Sequence, residues 1–126
     1  MHKLGSLNLR LSVIYILIGM TWGLHMAISG DHSTYPAHAH LNLVGYVSVF
    51  LYGLFYRSLP DRPAGRLEWS QFALAHIGVV VMVPGIALAH ADNMALGEPL
   101  AAAGSLITFA GMILFALIVF RRTAVA

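Results

Sequence analysis

The sequence predicts an all-α membrane protein, a four-transmembrane-helix antiparallel bundle in one domain over residues 1–126. Three observations carry this reading. Hydrophobic residues make up 59% of the chain and charged residues 10%, where a soluble domain has about a quarter charged. Polar groups therefore cannot cover the surface, and lipid must solvate much of it. Four apolar stretches each reach the ~20 residues that a spanning helix needs. Every Lys and Arg falls on one side of the implied topology: Lys3 and Arg10 before the first stretch, Arg57, Arg62 and Arg66 around the second loop, Arg121 and Arg122 after the fourth stretch.

The spans run from about 11–29, 37–56, 69–90 and 100–120, with no acid or base at mid-span. Backbone polar groups in lipid must be satisfied internally, which makes these segments helices. The loops Asp31–Pro36, Pro60–Glu68 and Ala91–Pro99 are short, so sequence neighbours pack antiparallel. The first and third loops hold Asp31, Asp92 and Glu98 but no Lys or Arg. The positive-inside rule then places both termini in the cytoplasm; the expected location is a bacterial-type inner (cytoplasmic) membrane. A signal peptide cleaved near Ala27-x-Ser29 is the competing reading of the first stretch, but its removal would leave three spans and break the charge pattern. Gly19 and Gly23 form a GxxxG in the first helix, and Ala101 to Gly104 puts small residues on the fourth; both permit close helix approach. Pro84 is expected to kink the third helix.

The chain has no cysteine, which excludes disulfides, thiolate metal sites and cysteine nucleophiles. Its net charge of +2 comes from span-flanking residues and implies no nucleic-acid partner. Ser33, Thr34, Ser48, Ser105 and Thr108 have no visible base and orienting acid, and Asp31 beside His32 in a loop is not enough for a catalytic dyad. Asp31 reads instead as a cap for the second helix or as an acceptor that orients an imidazole. An independent enzyme is not expected.

Seven histidines stand against five acids. In this topology His25, His32, His38, His40 and His90 gather at the outer face. His76 lies two turns from the inner end of the third helix and His2 in the N-terminal tail. His25 and His90 have the bland reading of interfacial residues, His32 that of a loop residue, and His76 that of a hydrogen bond to a neighbouring helix. The pair His38 and His40 is harder to treat so. Residues i and i+2 of a regular helix point ~200° apart. The two imidazoles cannot chelate one ion there, unlike the i, i+4 pairs of zinc motifs. They serve two sites on opposite faces, each completed from another helix or chain. Imidazole suits haem iron, copper and zinc alike, and Met20 and Met26 are candidate thioether ligands.

The stretch DHSTYPAHAHLNLVGYVSVFLYGLFYRSLP, residues 31–60, resembles the haem-ligating helix of haem-copper oxidase subunit I, the superfamily of cytochrome oxidases, quinol oxidases and nitric oxide reductases. The resemblance rests on Asp31, Tyr35, Ala37, His38, His40, Gly45, Gly53, Phe55 and Pro60, with His40-x-Asn42-Leu43 similar to the low-spin haem helix of nitric oxide reductases. It implies that His40 ligates a low-spin haem b and that His38 faces a second haem or metal. That family's subunit has twelve spans in three pseudo-equivalent groups of four, so a homotrimer of this chain would reproduce the layout, with a haem held between His40 of one copy and His38 of the next. The chain departs from the family in lacking adjacent paired histidines for a copper centre, a buried acid or Lys marking a proton path, and outer arginines for haem propionates. His32, His90, Asn93 or Trp22 would have to replace the last. The implied function is a haem b-binding membrane protein for electron transfer or for redox or gas sensing, working with a redox partner. The alternatives are a copper- or other metal-binding membrane protein, and a non-catalytic subunit of a respiratory complex.

Overall fold

The computed structural model describes residues 1–123, which form four helices: α1 (His2–Ser29), α2 (Tyr35–Ser58), α3 (Arg66–His90) and α4 (Met94–Arg122). All four are long and apolar enough to cross a membrane. Their outward residues are apolar: Ile28 is 87% exposed, Phe120 76% and Leu106 70%, while Asn8, Ser12, Glu68 and Gln71 are buried. A surface of this kind is consistent with an apolar solvent around a multi-pass membrane protein.

The helices pack as two antiparallel hairpins, α1 on α2 and α3 on α4, joined along α2. This places one set of helix ends, with Arg57, Arg62, Arg66, Arg121 and Arg122, at a basic end. The ends near His25, His38, His40 and His90 form a histidine end.

The tightest packing lies between α3 and α4, where glycines recur every seventh residue: Gly78 and Gly85 on α3, Gly97, Gly104 and Gly111 on α4. A Cβ added at Gly104 would meet the Met82 Cβ at 2.6 Å, at Gly85 the Ala101 Cα at 2.9 Å, and at Gly97 the Ala89 Cα at 2.7 Å. Backbone touches backbone along the whole pair, the geometry that small residues allow in membrane helices. Ala101 to Gly104 marks only part of this seam, and the seven-residue glycine spacing is the stronger signal in the sequence.

Several boundaries differ from the sequence reading. α1 begins at His2 rather than near Leu11, so Lys3 and Arg10 lie within the helix. Both are exposed, while Leu4, Gly5, Asn8 and Ser12 face inward; the first turns are amphipathic and extend the helix beyond its apolar stretch. His2 is accordingly no free tail. Its Nε2 donates to the Leu59 carbonyl at 3.0 Å, and its backbone N–H donates to Asp61 Oδ1 at 3.1 Å. α4 begins at Met94, which takes Pro99 and Glu98 out of the third loop. A proline here forfeits one helix hydrogen bond, but the close approach of Gly97 to Ala89 holds the chain helical. Only Ala91, Asp92 and Asn93 connect the two helices, with Asp92 at φ 60° making the reversal. Pro84 faces outward inside α3, which continues to His90.

Glu68, assigned to a loop by the sequence reading, is the third residue of α3 and is buried. Its Oε2 accepts from the Gly65 N–H at 2.9 Å, and its Oε1 meets Arg122 Nη2 at 2.7 Å and Arg62 Nη2 at 3.8 Å. The expectation of no buried acid therefore fails at the basic end: Glu68 ties the start of α3 to the end of α4. Beyond it the Tyr56 hydroxyl donates to Gln71 Oε1 at 3.0 Å. Deeper still, Tyr15 O–H donates to His76 Nδ1 at 2.9 Å, and His76 Nε2 donates to Asn8 Oδ1 at 3.2 Å. His76 thus bridges α3 to α1 with both nitrogens satisfied, as its bland reading holds.

The His2 N–H holds the exposed Asp61 carboxyl below the usual carboxylate range. A lowered carboxyl pKa stabilises the contact above the unfolded value, near 4, and the contact weakens as pH falls through the folded value. In an NMR titration the His2 amide shift is expected to move with a midpoint below that of a free carboxyl. A midpoint at or above ~4 would contradict the contact.

Candidate functional site

The site is built where α2 starts. Gly30, at φ 71°, ends α1 in the left-handed conformation and returns its N–H to the Met26 carbonyl at 3.0 Å. Asp31 Oδ1 accepts the Ser33 N–H at 2.9 Å, and this bond holds its carboxyl below the ordinary value. Asp31 thus closes the turn; it neither caps α2, whose N-cap is Thr34, nor bonds an imidazole. Thr34 Oγ1 accepts from Trp22 Nε1 at 3.0 Å. The indole N–H is spent fastening α1 to the start of α2, so Trp22 cannot also donate to a propionate in this arrangement. Pro36 sits in the first turn of α2, where its missing N–H costs nothing.

From this start His38 and His40 diverge as the 200° argument requires. His38 turns toward α1 and lies over Gly23, where an added Cβ would come within 3.0 Å of its Cε1. Its Nε2 is 3.2 Å from Asn42 Nδ2, and Asn42 in turn lies directly against Gly19. The GxxxG of α1 is therefore a seat for the His38–Asn42 pair. His38 Nδ1 and Asn42 Oδ1 are buried with no partner. Either orientation of the amide leaves Nδ1 unpaired, and an unpaired buried polar group costs roughly 1–3 kcal/mol.

His40 points the other way and is exposed. Its Nδ1 donates to the Pro36 carbonyl at 2.7 Å. This bond fixes the tautomer and leaves the lone pair on Nε2, at the free end of the ring. His90 is built alike: exposed, with Nδ1 donating to the Ile86 carbonyl at 2.9 Å. His32 is an exposed loop residue whose Nδ1 bonds the Gly30 carbonyl at 3.1 Å. His25 is exposed on α1, at one end of an open groove of about 610 Å³ walled by Leu17, Ile18, Thr21 and Trp22. Of the two methionines considered as ligands, Met20 faces outward, while Met26 is buried with its sulfur 3.9 Å from the Thr34 hydroxyl. Among the described residues no three His, Asp or Glu side chains converge as a metal site would need.

One feature of α2 escapes periodicity arguments altogether. Directly after His40 the helix widens into a π-helix from Leu41 to Ser48, and Ser48 Oγ bonds the carbonyl five residues back, on Leu43, at 3.1 Å. The buried positions Ala37, Leu41, Gly45 and Val49 recur in steps of four. On a regular α-helix each such step overshoots by about 40°. The wider π turn takes up that excess and keeps the row facing the bundle, with Gly45 against Tyr15 and Val79. The run of fours is the only trace of this in the sequence.

No family model matches the chain, and no curated protein or solved structure was found similar to it.

Proposed function

We propose that this chain is a multi-pass protein of a bacterial-type inner membrane that carries haem b and moves or senses electrons, with its basic end in the cytoplasm and its histidine end outside. The observation that carries the reading is His40: an exposed imidazole whose Nδ1 is tethered to the Pro36 carbonyl, which leaves Nε2 free and would let it hold haem iron. Among the described residues no three His, Asp or Glu side chains converge, and His40 itself is exposed, so this chain would hold such a group from one side. A second copy supplies the other ligand, and a homotrimer satisfies the arrangement symmetrically. Two donors fit that role. His25 is exposed beside an apolar groove that would accept a porphyrin edge. His38 fits only if its ring leaves its seat against Gly23, since its Nδ1 is buried and its Nε2 faces Asn42. The histidines bind and orient the group; haem supplies one-electron chemistry when bound. Were two imidazoles to hold the group, electron transfer or sensing through redox state would be favoured over oxygen chemistry. The copper reading needs the same completion from a second copy, since no three His, Asp or Glu side chains of the described residues converge.

A visible spectrum of protein produced with ample haem tests this. Sharp bands on reduction, unmoved by carbon monoxide, are expected. Protein that contains no haem under those conditions, or a stoichiometric metal instead, sinks the proposal.

A further inference from the structure

We infer that the basic end carries a binding site for the headgroup of an anionic phospholipid, in the cleft between the first turn of α1, the α2–α3 loop and the start of α3. The inference needs the proposed orientation but not the haem. The cleft has a volume of about 470 Å³, within the ~300–1,000 Å³ typical of small-molecule sites. Its floor is apolar, made by the fully buried Leu4 and by Ala64. Trp69 forms one wall and is 38% exposed. Lys3, Arg62 and Asp61 stand at its rim.

The charges do not cancel. Glu68 is claimed at 2.7 Å by Arg122, while Arg62 stands 3.8 Å from the same oxygen with its side chain 43% exposed. Arg62 is thus the surplus cation of a group of two arginines and one carboxylate. Lys3 makes no ion pair among the described residues and is exposed. Asp61 is the opposing charge, and it is engaged by the His2 N–H. The Met1 ammonium also lines the cleft, 3.6 Å from Asp61 Oδ1, so three cations face one carboxylate; Met1 offsets Asp61, and Lys3 and Arg62 are left to face an anionic phosphodiester.

The rest of the cleft selects an amphiphile over a free anion. Inorganic phosphate has no use for an apolar floor or an indole wall. A phospholipid places its phosphate at the cations and its glycerol and first methylenes on Pro63, Ala64 and Trp69. Tryptophan is favoured at this depth because its ring is apolar and its N–H polar. The cytoplasmic leaflet is rich in anionic lipid, and basic pockets at that end of transmembrane helices hold such headgroups.

Native mass spectrometry of the full chain, released from detergent with phosphatidylglycerol or phosphatidylcholine of equal acyl length, tests the inference. Phosphatidylglycerol is expected to stay bound preferentially. Retention should fall about fivefold for each cation removed in Lys3→Gln and Lys3→Gln/Arg62→Gln. Arg57→Gln/Arg66→Gln removes the same charge at the same end but outside the cleft, and should leave retention unchanged. Lys3→Gln alone alters an exposed, unpaired residue, so it gives a reading even if the double variant does not fold. No preference between the lipids, an equal loss in both double variants, or displacement of the lipid by millimolar inorganic phosphate would each overturn it.

Discussion

Replacing His40 by Ala is expected to strip haem from the protein, lowering haem per chain roughly tenfold or more in a reduced-minus-oxidised spectrum. The expected loss is large because His40 is the one imidazole of the α2 pair that presents a free Nε2 outward: its ring is exposed and its Nδ1 is already committed to the Pro36 carbonyl. His90→Ala is the matched control. His90 has the same exposure and the same backbond, to Ile86, but it lies on α3 and is read only as a partner for a propionate, not for iron. Its loss should leave the bands in place. His25→Ala and His38→Ala then separate the two candidates for the second ligand. Loss of whichever supplies it should lower haem per chain as His40→Ala does, and loss of the other should leave the spectrum unchanged. A His40→Ala protein with an unchanged spectrum would remove the basis of the proposal.

Gly104→Leu is the second large effect, and it acts on the fold. A side chain at this position must displace Met82, whose Cβ lies 2.6 Å from where the new Cβ would stand. Overpacking a close contact costs ~1–3 kcal/mol, occasionally more, and here the obstacle includes backbone that no rotamer change can move aside. We expect a loss of about 3 kcal/mol or more, seen as a fall in the thermal midpoint of helical circular dichroism in detergent. Ala103→Leu, one residue away and exposed, should leave the midpoint unchanged because its side chain points into the surrounding apolar medium. Equal midpoints for the two variants would mean that the α3–α4 seam is not the close contact described.

The four helices were readable because lipid demands them: length and apolarity alone mark a span, and three short loops order the neighbours. What the sequence hid follows from the same physics. Apolar stretches report where lipid would be, not where helix hydrogen bonding stops, so α1 runs on through Lys3 and Arg10 to His2, and α4 starts ahead of Pro99. Glu68 looked like a loop acid because its burial depends on Arg122, fifty-four residues away. The opposed directions of His38 and His40 were legible because both precede the π segment, where 3.6-residue arithmetic still holds. Their surroundings were not: nothing local says that Gly23 and Gly19 seat His38 and Asn42, or that the Trp22 N–H is spent on Thr34. Local pattern gives an imidazole its direction, and only the packing of other helices shows whether anything already stands there.

The central claim is that haem is held between copies of this chain through His40. Native mass spectrometry of the haem-loaded protein, run beside its visible spectrum, addresses it most directly. Haem is expected to travel only with assemblies of two or more chains, trimers foremost, and the low-spin bands to vanish when these dissociate into single chains. A single chain that keeps its haem with an intact bis-histidine spectrum would contradict it.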